Sequence, residues 1–192
     1  MIDKHNLTGI ILAGGKSSRM GTDKGFLELN KKQFVQYSID ALTPLVSKII
    51  IVTDHEAYHK FGLQCVKDGI KNAGPVAGIV AGLQASKTTY NIVLSCDIPL
   101  INTNILKKLI VNTDQNTTIL QVESHGKSMP LIALYNKQVL PIFKTQLKSG
   151  ERRLRLVVNQ CKPKNILLDS SDTCTTRNVN TKNDFKDLIN AH

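Results

Sequence analysis

The chain contains no tryptophan, and aromatic residues make up only 5% of its 192 positions. Few flat side chains are available for bases to stack on, and no nucleic-acid module signature is present, so a nucleic-acid partner is not expected. Acidic residues are also short, 15 against 25 lysines and arginines, which leaves a formal net charge of +10. The cations are scattered rather than blocked. An anionic small-molecule substrate accounts for them as well as a solvated basic surface does. The four cysteines, Cys65, Cys96, Cys161 and Cys174, form no Cys-x-x-Cys pair and no zinc spacing with histidine. They read as small buried hydrophobes. His55, His59 and His125 have no carboxylate spacing that compels a catalytic role. No run approaches the ~18 apolar residues that span a bilayer, and the polar segment Met1 to Thr8 does not read as a signal peptide. The default expectation is one domain over residues 1–192, cytoplasmic, away from membranes and monomeric.

What is present is an alternation of short apolar runs with helical periods. Ile10–Leu12, Lys48–Val52 and Asn91–Ser95 read as buried strands. Val35, Ile39, Leu42 and Val46 fall on one face of a helix, as do Val76, Ile79, Val80 and Leu83 behind Pro75. Ile105, Leu106, Leu109 and Ile110 mark a further helix. Phe185, Leu188 and Ile189 mark the last, with Asn180 or Thr181 as its cap. This pattern predicts an α/β fold with three layers, a Rossmann-like, mostly parallel sheet carrying helices on both faces. Thr118–Glu123 and Met129–Leu134, joined through His125-Gly126-Lys127, read as an inserted hairpin or antiparallel extension covering the active side.

The first strand runs into Leu12-Ala13-Gly14-Gly15-Lys16-Ser17-Ser18-Arg19-Met20-Gly21, followed by Asp23-Lys24-Gly25. The spacing fits neither a Walker P-loop nor a Rossmann dinucleotide fingerprint. Glycines let backbone come close to a ligand, and successive N–H groups make an anion-binding concavity. With Arg19 and Lys24 nearby, the segment points to a nucleoside triphosphate. Asp97 follows the strand Asn91–Ser95, so it and the glycine bend should share the crevice at the carboxyl ends of the strands. Asp97 reads either as a metal ligand or as a turn aspartate. Asp68, after Leu63–Val66, reads as a nucleotide contact or as a turn residue beside Gly69. Gly74 and Gly78 bracket a helix start where N–H groups meet a base or ribose, or where a turn needs glycine. Arg152, Arg153 and Arg155 are either anion ligands or an ordinary charged helix face.

The string Leu-Ala-Gly-Gly-x-x-x-Arg-Met-Gly-x-Asp-Lys resembles the signature of the molybdenum cofactor guanylyltransferase (MobA-type) family of nucleotidyltransferases. Gly74-Pro75-Val76-Ala77-Gly78, Cys96-Asp97-Ile98-Pro99, Pro130-Leu131-Ile132-Ala133-Leu134, Gly150-Glu151-Arg152-Arg153 and Asn178-Val179-Asn180-Thr181 match further family segments in order. Met129 stands where the family usually has histidine, and Lys182 where it usually has proline. The resemblance implies a fold of the nucleotide-diphospho-sugar transferase type and transfer of GMP from Mg²⁺-GTP to Mo-molybdopterin. Catalysis would rest with Arg19, Lys24 and Asp97, and Asp97 would hold Mg²⁺. Leu12, Ala13, Gly14, Gly15, Lys24, Asp68, Gly74, Gly78 and Asp97 would bind the nucleotide. Arg152, Arg153, Asn178 and Asn180 would face the acceptor. Molybdenum cofactor biosynthesis proteins or apo-molybdoenzymes are the protein partners it suggests. Three alternatives stay open: a cytidylyltransferase on the same acceptor, a transferase acting on sugar phosphates, and a GTP-binding carrier without catalysis.

Overall fold

All six residues of β1 (Leu7–Leu12) are buried, and a strand of that kind needs cover on both faces. The computed structural model, which describes residues 2–14, 23–70 and 73–190, supplies it. β1 pairs in parallel with β4 (Lys48–Val52) on one side and β6 (Tyr90–Ser95) on the other. β5 (Gln64–Val66) extends the sheet beyond β4. Past β6 come β8 (Lys127–Asn136), β7 (Ile119–Ser124) and β9 (Lys164–Leu167), giving the order β5-β4-β1-β6-β8-β7-β9. β8 runs antiparallel to both neighbours, and the remaining strands share one direction. A two-strand ribbon, β2 (Glu28–Leu29) with β3 (Lys32–Gln33), lies apart.

Side chains of β1 alternate between two cores. Ile11 joins Val35, Ile39 and Leu42 of α1 (Phe34–Leu42) and Ile105 and Leu109 of α3 (Thr103–Val111). Ile10 and Leu12 join Val76, Ile79 and Leu83 of α2 (Gly74–Ala85), Phe143 of α4 (Leu140–Lys148) and Val157 of α5 (Leu154–Gln160). The expected three layers are therefore present. The short α6 (Ser170–Thr173) and α7 (Lys182–Asn190) complete the chain. At the start of α7, Thr181 Oγ1 accepts the Asp184 N–H and the Asp184 carboxylate accepts the Thr181 N–H, a reciprocal cap.

Two expectations need correction. Val46 lies outside α1: the helix ends at Leu42 and Pro44 has no N–H to extend it, although Val46 is still buried. Of the two readings of the hairpin, the structure shows the antiparallel extension and not the insertion. His125 and Gly126 both take positive φ, the two-residue turn that suits antiparallel strands. It returns β8 into the body of the sheet between β6 and β7. Only its turn end projects toward the crevice.

Gly82 lets α2 lie close on β1, since a Cβ there would come within 2.5 Å of Ile10 Cγ2. Ile10 is fully buried and β-branched, so its methyl has little freedom to move. Gly82→Ala gains ~1 kcal/mol of helix propensity but incurs ~1–3 kcal/mol of overpacking. A net loss of ~1 kcal/mol, read as a fall in Tm of ~2–4 °C, is expected by calorimetry.

Candidate active site

Parallel pairing of β1 with β6 places Leu12 opposite Ser95, and the Cys96 N–H donates to Leu12 O at 3.1 Å. The bend beginning at Ala13-Gly14 and the turn bearing Asp97 thus leave the same edge of the sheet side by side. Gly15 and Arg19 lie outside the described residues. Among the described residues, a Cβ on Gly14 would meet backbone of Val52 and Thr53 at 3.9 Å, so their packing does not demand glycine there.

Lys24 arrives on a single 3₁₀ turn, Lys24–Phe26, capped by Asp23, whose Oδ1 accepts the Gly25 N–H at 3.0 Å. The Lys24 ammonium donates to Asp97 Oδ2 at 3.3 Å and to Asn180 Oδ1 at 2.6 Å. Asn180 is held there by its neighbour: the fully buried Val179 donates its N–H to Asp97 O at 2.9 Å. Four sequence candidates from distant parts of the chain, Gly14, Lys24, Asp97 and Asn180, therefore meet at one rim. Among the described residues, Asp97 Oδ1 and Asn178 Oδ1, both buried, have no hydrogen-bond partner. Buried polar atoms normally have one.

Asp97 Oδ1 is the observation that bears on a metal. A buried, unpartnered carboxylate oxygen is a hard donor with a lone pair to spare, and a divalent cation shared with phosphate oxygens suits it. Among the described residues no group of three or more His, Cys, Asp or Glu side chains forms an all-protein metal cage. A cation held by one carboxylate plus its nucleotide fits that donor set. The adjacent Cys96 thiol is pushed well above its ordinary pKa, first by burial and then by Asp97 and Asp23, so it stays protonated and is no nucleophile.

Asp68 follows β5 on the same edge, and its Oδ1 accepts the Ile70 N–H at 3.2 Å, the contact of a turn aspartate. Gly74 opens α2 with φ +65°, a conformation that favours glycine. Gly78 departs from expectation. It is buried inside α2, and a Cβ there would lie 3.2 Å from Leu12 Cδ2 and 3.8 Å from Val52 Cγ1, so its glycine serves helix-to-sheet packing.

Beside Asn180 lies a cavity of about 820 Å³, walled by the hairpin turn, the start of β8, the start of α5 and the segment from Thr173 to Asn180. Its lining carries His125, Lys127, Arg153, Arg155 and Arg177 and, among the described residues, no carboxylate. Asn178 and Met129 also line it. Arg153 sits at its mouth, paired with Glu151, whose carboxyl is lowered to about 2 chiefly by the Arg153 hydrogen bonds. Arg152 is a correction. Its guanidinium donates to Leu147 O at 2.9 Å, capping the end of α4, and it lines a smaller cavity of about 510 Å³ instead. Lys127 and Arg177 line the same cavity without having been singled out by the sequence. Neither stands in a sequence run that marks an anion site.

The MobA-like NTP transferase domain family matches residues 9–164. A probable molybdenum cofactor guanylyltransferase of Flavobacterium johnsoniae is 33% identical over 182 residues, covering 95% of this chain and 96% of that protein. A molybdenum cofactor guanylyltransferase of Vibrio parahaemolyticus is 34% identical over 185 residues, covering 94% of each chain. Among solved structures, molybdopterin-guanine dinucleotide biosynthesis protein A of Archaeoglobus fulgidus shares the fold with a TM-score of 0.79 at 18% identity, over 96% of this chain and 97% of that one. With the family match spanning most of the sheet and both sides of the Lys24–Asp97 pair, the chain belongs to the MobA-like NTP transferase family.

Proposed function

We propose that this protein transfers GMP from Mg²⁺-GTP to Mo-molybdopterin, giving the guanine dinucleotide form of the cofactor and pyrophosphate. The observation that carries the reading is the junction at Asn180: the Lys24–Asp97 pair on one side and a carboxylate-free basic cavity on the other. A triphosphate on the first and a phosphorylated acceptor in the second would bring two anions together. The names of the relatives, over nearly the full chain, favour this donor and this acceptor.

In this reading a terminal phosphate oxygen of the acceptor attacks the α-phosphorus of GTP. A new P–O bond forms as the bond from the α-phosphorus to the bridging oxygen breaks, and pyrophosphate leaves. The nucleophile is already an anion, so the site needs no strong general base. Positioning and charge neutralisation supply the catalysis. Backbone at Ala13 and Gly14 approaches the phosphates, Lys24 contacts them as a point charge, and Arg19 stabilises the leaving group. Asp97 is the residue that would hold Mg²⁺. When bound, the ion neutralises triphosphate charge. Asp68 and Gly74 lie toward the nucleoside. Arg153, Arg155, Lys127, Asn178 and Asn180 receive the acceptor.

Pyrophosphate release with Mg²⁺, Mo-molybdopterin and either GTP or CTP tests the proposal. Release with GTP, at least ~10-fold above CTP, is expected, since a site built to pair with a base edge discriminates by more than 1 kcal/mol. Preference for CTP would overturn the base assignment. GTP binding without pyrophosphate in the presence of acceptor would make the protein a carrier.

A further inference from the structure

Tyr58 is fully buried on the 3₁₀ turn Glu56–Phe61 that links β4 to β5, and the nucleotidyl transfer described above makes no use of it. Its hydroxyl donates to Asp23 Oδ1 at 2.7 Å. The same oxygen accepts the Gly25 N–H, so the phenol holds the cap of the turn that carries Lys24. A Cβ on Gly25 would fall on the Tyr58 hydroxyl. The Phe26 ring lies against the Tyr58 ring, centroids 4.5 Å apart. Residues 23, 25 and 26 are all fixed on one phenol, and residue 24 between them projects its ammonium at Asp97. Burial keeps the phenol protonated, so its hydroxyl is the donor. A buried aromatic that served packing alone would be as well supplied by phenylalanine. What the hydroxyl adds is a bond to Asp23.

We propose that Tyr58 is a positioning residue for Lys24, acting through Asp23, and so sets the affinity for the triphosphate. The inference rests on the reading that Lys24 meets the nucleotide phosphates. It goes beyond that reading by assigning a function to a residue outside the crevice.

Tyr58→Phe keeps the ring and removes the hydroxyl. Mg²⁺-GTP affinity, measured by calorimetry, should fall ~10-fold, the scale of losing a supporting shell around a binding group. The acceptor KM should stay unchanged. On a Lys24→Ala background the same substitution should cost less than ~2-fold, because residues acting in series are not additive. Asp23→Asn, which retains an oxygen for both hydrogen bonds, should keep more affinity than Asp23→Ala, and this pair carries the test should Tyr58→Phe not fold. Equal losses from Tyr58→Phe with and without Lys24, or equal losses in Asp23→Asn and Asp23→Ala, would overturn the proposal. Absence of product from the unaltered protein falls on the proposed function, since binding is read separately from turnover.

Discussion

Asp97→Asn lowers kcat/KM for Mg²⁺-GTP by ~10²–10³-fold, the scale of removing one preorganised electrostatic partner from a transferring group, and leaves the fold intact or firmer. The two halves of that result have one cause. Among the described residues, the buried Asp97 Oδ1 has no hydrogen-bond partner and Oδ2 has the Lys24 ammonium at 3.3 Å. Keeping a carboxylate oxygen unsatisfied costs ~1–3 kcal/mol. The amide is isosteric, carries no charge, and still presents an oxygen to Lys24. It is a much poorer partner for a divalent cation. Stability in the metal-free protein should therefore stay level or rise by ~1 kcal/mol, seen as a Tm higher by up to ~2–4 °C for a chain of this size. Turnover, followed by pyrophosphate release, should collapse. A variant that turns over undiminished would remove Asp97 from the reaction. One that loses activity and melts far below the parent would show that the carboxylate is a structural group.

Much of this site is legible in the sequence because its parts sit where strands end. The β-branched runs that became β1, β4 and β6 are short, apolar and bounded by polar residues, and a parallel arrangement of such runs sends their following loops to one edge. That is why Gly14 and Asp97 meet. Pro75 and the apolar stripe behind it gave α2, and Phe185, Leu188 and Ile189 with the cap candidates Asn180 and Thr181 gave α7. What escaped depends on contacts across long separations. Lys24 and Asn180 are 156 positions apart, and Tyr58 and Asp23 are 35 apart. No local period relates either pair. Arg152 looked like an anion ligand because its partner, the carbonyl end of α4, belongs to a helix that the periodicity did not reveal. Gly78 looked like a glycine facing the base or ribose because it shares a motif with Gly74 at the helix start. Only the distance from α2 to Leu12 shows that close packing is what it serves. The place of β8 between β6 and β7 is likewise a matter of sheet order, on which the hairpin turn is silent.

Lys24→Ala should act with the opposite sign on stability and the same sign on binding. The ammonium and the Asp97 carboxylate are mostly buried, with 20% and 14% of their side-chain surface exposed. Removing the cation takes from Asp97 the one partner it has among the described residues and takes from Asn180 Oδ1 its donor there. Breaking one partner out of such a pair is the costly direction. At this partial exposure ~1–2 kcal/mol is expected, a fall in Tm of ~3–6 °C. Adding Mg²⁺ should recover more of that loss in the variant than it adds to the parent, because a second cation then supplies what the lysine did. GTP affinity should drop by ~10–100-fold, the range for one hydrogen bond to a charged group. The gap between parent and variant should narrow as ionic strength rises, since a point charge on phosphate is screened by salt. Lys24→Arg should rescue poorly, because a planar fork does not replace a compact ammonium reaching two oxygens at once. An affinity unchanged across ionic strengths would detach Lys24 from the nucleotide. It would also leave Lys24 a structural group, holding Asp97 on one side and, through Asn180, the edge of the basic cavity on the other.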